Sequence, residues 1–211
     1  MRKVELILII CLWISLSIYL FQQIATAQIP KAPSQNNTSS APSQNNTSSA
    51  LAPFTTYDNS TFGIKIDYPS HWKKVENVGR LLGHTIVVDF YSVDLKNASK
   101  LFSENLNIVV GNLIPKNMSL AEYSNISINE LKKIFPGLIM EEQTPITLSG
   151  NPALKVVYSF KQGQFKFKQM QIWTLKDGSD YVITYSVQPA ENSNLSIAQK
   201  MINSFSTNIV K

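Results

Sequence analysis

The stretch Thr61–Trp72, TFGIKIDYPSHW, decides how the chain reads. Ile64 and Ile66 alternate with Lys65 and Asp67, the period-2 pattern of a strand that buries one face. Gly63 just ahead of the run suits a turn or a bulge. Tyr68-Pro69 then stops the strand, because proline offers no N–H to a ladder and holds the chain extended. Trp72 follows closely enough to fold back and cover the strand end.

Upstream, Arg2 and Lys3 precede the apolar run Leu6–Phe21, and Ala25-Thr26-Ala27 fits the small-x-small rule for signal cleavage. Residues 1–27 therefore read as a signal peptide with the mature start at Gln28. The rival reading is an uncleaved membrane anchor, since the run approaches the roughly 17-residue minimum for a span. Cys11, the only cysteine, lies inside this run. Ile10 before it is not the small residue that an acylation site would carry. A mature chain without cysteine excludes disulfides, cysteine–zinc sites and a thiol nucleophile.

Residues 28–52 read as a disordered tether. Within them, residues 32–49 are two copies of APSQNNTSS, Ala32–Ser40 and Ala41–Ser49, and these repeats hold nothing apolar larger than alanine or proline to offset ordering entropy. Asn36, Asn37, Asn45 and Asn46 are overlapping glycosylation acceptors in these repeats, and Asn59 is a further candidate. Scattered sequons also occur at Asn97, Asn117, Asn125 and Asn194.

The folded domain is expected over 53–211. Thr85–Tyr91 and Leu106–Val110 read as strands, and Lys96–Ser103 as a loop or a short helical turn. Ser119–Phe135 changes to helical period behind a Ser119/Glu122 capping box, with Leu120, Tyr123, Leu131 and Ile134 on one face. Pro136-Gly137 ends that helix. Ile139–Leu148 reads as a strand that Pro145 assigns to an edge or a bulge. Leu154–Phe160, Phe165–Leu175 and Tyr181–Val187 follow as strands joined by turns at Gln162-Gly163 and Asp177-Gly178. Within Phe165–Leu175 the phenylalanines fall on one parity and Met170 and Ile172 on the other, which predicts a bulge near Lys168-Gln169. Leu195, Ala198, Ile202 and Phe205 form the apolar stripe of a closing helix. The order of elements predicts an α+β fold with an antiparallel sheet covered by helices.

TFGIKIDYPSHW resembles the opening of the PsbP-like family. So do the SLAEYSNISINELKKIF helix, the GNPALKVVYSF strand entry, and DYVITYSV leading to a helix that ends in MINSF. The resemblance runs from Phe54 to Phe205 in the family's order. It implies an α/β/α sandwich around a central antiparallel sheet. It also implies an exported accessory protein, peripheral to a membrane, rather than an enzyme.

The residues themselves carry no catalytic constellation. His71 and His84 lack cysteine partners and any HExxH-type spacing, so both read as solvated loop histidines and no metal site or cofactor is expected. Glu141 and Glu142, as strand neighbours, should point to opposite faces. Asp177 and Asp180 belong to a hairpin turn rather than to a calcium loop. Without Arg2, Lys3 and Glu5, the 19 basic and 14 acidic residues fall to 17 and 13, a mild positive excess. Arg80 is then the only arginine, which argues against nucleic acid. Lys161, Lys166 and Lys168 cluster about one hairpin, and on a regular strand Lys166 and Lys168 face away from Phe165 and Phe167. They read either as a solvated face that blunts a sheet edge or as a docking face for an acidic protein or surface polymer of the cell envelope. The functional expectation is a non-enzymatic, exported binding or accessory module at the cell surface. It would touch a membrane only peripherally or through an uncleaved leader. An enzyme with a polar pocket between sheet and helix and a chiefly structural surface protein are the alternatives.

Overall fold

The computed structural model describes residues 53–81, 83–92, 102–112, 114–115, 117–189 and 194–207. The leader, the repeats and most of Lys96–Ser103 lie outside the described residues.

Strand β2 (Ile64–Pro69) buries Ile64 and Ile66 completely, as the alternation predicts. It is the centre of a small sheet, flanked by β1 (Phe54–Asn59) and the two-residue β10 (Ser206–Thr207). Gly63 turns the β1–β2 hairpin at φ 60°. Trp72 is 4% exposed, and its backbone N–H donates to the Pro69 carbonyl at 2.9 Å, so the indole does close the strand end.

A second, seven-stranded antiparallel sheet forms the body, in the order β3-β4-β5-β9-β8-β7-β6. Its strands are β3 (Lys73–Leu81), β4 (His84–Tyr91), β5 (Asn105–Gly111), β6 (Ile139–Leu148), β7 (Asn151–Gln162), β8 (Phe165–Lys176) and β9 (Ser179–Val187). Helix α1 (Leu120–Ile134) lies between β5 and β6 in the chain, and the β6–β9 meander then returns to pair β9 with β5. Ser119 caps α1, its hydroxyl accepting from the Glu122 N–H at 3.1 Å. Helix α2 (Leu195–Ser204) packs on β2.

Two apolar cores result. One unites Tyr123, Ile128 and Leu131 of α1 with Val156, Tyr158, Phe160, Phe167, Trp173 and Val182. The other joins the small sheet and Ala198, Met201 and Ile202 of α2 to Phe90, Ile108, Ile172 and Ile183. The expected antiparallel sheet covered by helices is thus present, but strands dominate. One face of the large sheet carries α1, whereas the other carries α2 together with a second sheet rather than helix alone.

Strand β8 departs from expectation. Its register with β7 and β9 runs unbroken, so the bulge predicted at Lys168-Gln169 is absent. Both parities are buried, Phe167 and Trp173 toward α1 and Met170 and Ile172 toward α2, so no bulge is needed. Instead β6, the edge strand that holds Pro145, shifts register between Met140 and Glu142.

Candidate functional site

That shift in β6 builds one side of a cleft. It leaves Glu141 and Glu142 both turned to the α2 face, against the expectation for strand neighbours. Glu141 Oε2 lies 2.6 Å from Lys168 Nζ, and Glu142 Oε1 lies 2.7 Å from Lys155 Nζ. Thr144 also donates to Glu142 Oε1 at 2.6 Å. The Lys168 hydrogen bond lowers the pKa of Glu141, and those from Lys155 and Thr144 lower that of Glu142. Both carboxylates are set to stay ionised beside their lysines.

Between this ion-pair edge and the start of α2 lies a cavity of about 400 Å³, within the range of small-ligand sites. Its floor is a cross-strand row, Val157–Met170–Tyr185, with Val187 beside it. Leu195 and Gln199 of α2 form the opposite wall. Glu104 holds that wall in place, accepting from the Asn194 backbone N–H and from Asn194 Nδ2, both at 2.7 Å. Tyr185 is 2% exposed, and its hydroxyl has no hydrogen-bond partner.

The lysines of the β7–β8 hairpin continue this edge. Lys161 and Lys166 stand directly opposite each other and are exposed, while Lys168 is half-buried. Phe165 and Phe167 pack toward α1 on the opposite face.

A second polar group lies under α1. His84, Gly111 and Asp180 occupy one cross-strand row over β4, β5 and β9. Gly111 has no side chain, so His84 Nε2 approaches Asp180 Oδ2 to 3.2 Å, and the Tyr123 hydroxyl donates to the same oxygen at 2.9 Å. His84 is 1% exposed, so the reading of a solvated loop histidine is wrong; His71 is exposed. Asp180 is fully buried and does more than shape a turn. A glycine inside a strand pattern is the sequence signal for such a close approach. Among the described residues no cluster of three or more histidine, aspartate or glutamate side chains is arranged to hold a metal.

Farther along the same face, Asp89, Asn107, Thr184 and Gln171 form a buried polar row. Asp89 accepts from the Tyr91 hydroxyl at 2.6 Å, yet burial raises its pKa to about 7. In the next row Tyr158 donates to Gln169, and Gln169 to Ser186.

The sequon asparagines that can be placed differ in access. The Asn59 amide donates to the Tyr57 hydroxyl at 2.9 Å, and Asn194 is held by Glu104. Asn117 and Asn125 are exposed. Asn36, Asn37, Asn45, Asn46 and Asn97 lie outside the described residues.

The model of the family described as PsbP-like protein matches residues 7–207. The chain belongs to the PsbP-like family. Among solved structures, cyanobacterial PsbP from Synechocystis sp. PCC 6803 is 16% identical, with 78% of this chain and 98% of that one covered at a TM-score of 0.56. LpqN of Mycobacterium tuberculosis, described as involved in cell envelope biogenesis, is 13% identical over 75% of this chain and 87% of its own, with a TM-score of 0.53. A mutant of the protein Mog1 matches at 12% identity over 75% and 97% with a TM-score of 0.50. At these identities what the PsbP-like chain shares with them is the fold. No individually curated protein matches it in sequence. Among its described residues no helix is long and apolar enough to cross a membrane.

Proposed function

We propose that this PsbP-like chain is a non-catalytic accessory module of the cell envelope that docks an acidic protein or surface polymer through Lys161, Lys166 and Lys168. The observation that carries the reading is the Lys161/Lys166 pair. Like charges directly opposite on neighbouring strands destabilise a sheet. Here both ammonium groups are exposed, and no carboxylate pairs with either among the described residues. An anionic partner would supply the missing counter-charge. The leader-like start and the family support an exported setting, and the fold shared with LpqN is compatible with it.

The enzyme alternative would need a reachable polar pocket around a histidine. His84 has a carboxylate and a tyrosine beside it, but the group is sealed between α1 and the sheet, which suits a structural lock. Capture from envelope extract with the full chain tests the docking reading. Replacing Lys161, Lys166 and Lys168 with glutamine should weaken association and flatten its salt dependence, since exposed contacts are screened over about 8–10 Å at physiological salt. Unchanged binding with unchanged salt dependence would retire the docking face.

A further inference from the structure

Among the described residues three large apolar side chains are exposed: Ile139 at 63%, Leu195 at 51% and Val75 at 46%. Val75 lies on β3, at the far edge of the sheet. The other two stand on either side of the α2 cleft. Leu195 belongs to its helical wall. Ile139 opens β6 in the cross-strand row Ile139–Ser159–Lys168–Val187, and the last two members of that row line the cleft. All four therefore share the face that carries α2. The recess between Ile139 and Leu195 has an apolar floor of Val157, Met170 and Val187. Scattered exposed leucines are ordinary, but apolar side chains gathered about an apolar recess mark an interaction site. The charge is set beside this patch rather than in it. Lys155 and Lys168 at the lip are neutralised by Glu142 and Glu141. The unopposed charge among the described residues is that of Lys161 and Lys166, one row farther along the same face. Ile139 and Lys161 are diagonal neighbours, with bases about 7–8 Å apart.

We propose that this face receives an acidic segment of a partner protein. The segment lays apolar side chains against Ile139 and Leu195 and over the cleft floor, and sets carboxylates against Lys161 and Lys166. The inference rests on the docking reading and narrows it from an acidic protein or surface polymer to a protein. A polymer of sugars or phosphates has no apolar side chain to bury against an isoleucine, whereas a polypeptide carries apolar and acidic groups a residue apart. Length sets no obstacle. The four adjacent strands from β6 to β9 span about 14 Å, and six extended residues reach about 20 Å.

Isothermal titration of the full chain with the capped peptide EELLEE, its serine match EESSEE, and dextran sulfate as an anionic polymer tests it. EELLEE should bind saturably, and EESSEE at least about tenfold more weakly, the least that burial of one leucine confers. Ile139→Ser and Leu195→Ser should each weaken EELLEE by at least about fourfold, the value of a single buried methylene, and leave dextran sulfate unaffected. Both positions are exposed, so the melting temperatures of these variants should stay close to the parent's, which separates lost binding from lost folding. Lys161→Gln/Lys166→Gln should weaken both EELLEE and dextran sulfate. Absence of saturable EELLEE binding would overturn the proposal, as would equal affinity for EESSEE or undiminished affinity in either serine variant. The docking reading stands through those results as long as the lysine variant still weakens dextran sulfate. Binding of both probes that ignores the two lysines would retire the docking reading and this inference together.

Discussion

His84 Nε2 lies 3.2 Å from Asp180 Oδ2 across a strand position that has no side chain. Gly111 makes the contact: a methyl group there would occupy the space of both the carboxylate and the imidazole. The Tyr123 hydroxyl closes the group from above and ties α1 to the centre of the sheet. Gly111→Ala should therefore cost about 3 kcal/mol or more, at or beyond the upper end for overpacking a core. A urea midpoint close to that of the parent would show that the strands can part around the methyl without loss.

Asp89 imposes a pH dependence on stability. Burial raises its pKa from 3.8 to about 7, so below the unfolded value both states hold the proton and the group is neutral in effect. Between roughly pH 4 and 7 the unfolded chain releases that proton while the native state keeps it, and stability falls as pH rises. The loss at neutral pH is about 4 kcal/mol at most, from 1.36 kcal/mol per pKa unit. Asp89→Asn keeps an acceptor for Tyr91 and removes the titration. Its melting temperature should exceed the parent's at pH 8, and the two should converge near pH 4. A constant difference across that range would rule out Asp89 as the source.

Glu104 bears on the cleft through α2. It accepts two hydrogen bonds from Asn194 at the start of that helix, and it is itself 5% exposed. Glu104→Ala should destabilise by about 1.5–3 kcal/mol, the usual value of hydrogen bonds to a charged group. Hydrogen exchange should quicken in 195–204 before the sheet is affected. Uniform quickening across the chain would mean that Glu104 contributes to global stability without a specific hold on α2.

Trp72 seals the end of β2 within the core that contains Ile64, Ile66 and Phe90. Trp72→Ala should cost about 3–5 kcal/mol, as for other buried aromatics. Denaturant midpoints give the answer, and a loss within about 0.5 kcal/mol would place the indole at the surface instead.

Periodicity within a segment was enough to read much of this protein. Alternation in Ile64–Asp67, the capping pair Ser119/Glu122, the Ala198/Ile202 pair of α2 and the Asp177-Gly178 turn each depend on neighbours a few residues apart; Leu195, expected in the same stripe, is instead exposed, and Phe205 is buried just past the helix end. Local sterics and hydrogen bonding act at that range, and together these signals led to the antiparallel α+β architecture. The lysine parity was legible for the same reason.

What the sequence could not show depends on pairing between distant segments. Strand β3 has an exposed, polar sequence and exists because β4 offers it a ladder, while the two residues of β10, directly after α2, pair with β2 far back in the chain. Burial of β8 on both faces needs α1 on one side and α2 on the other. The site is non-local throughout. Tyr123 meets Asp180 across 57 residues and Asn194 meets Glu104 across 90. Glu141 joins Glu142 on one face only through a bulge that arises in pairing with β7. Register between strands is set by the summed burial of whole faces, so the tertiary structure alone decided which polar groups meet in the interior and which line the cleft.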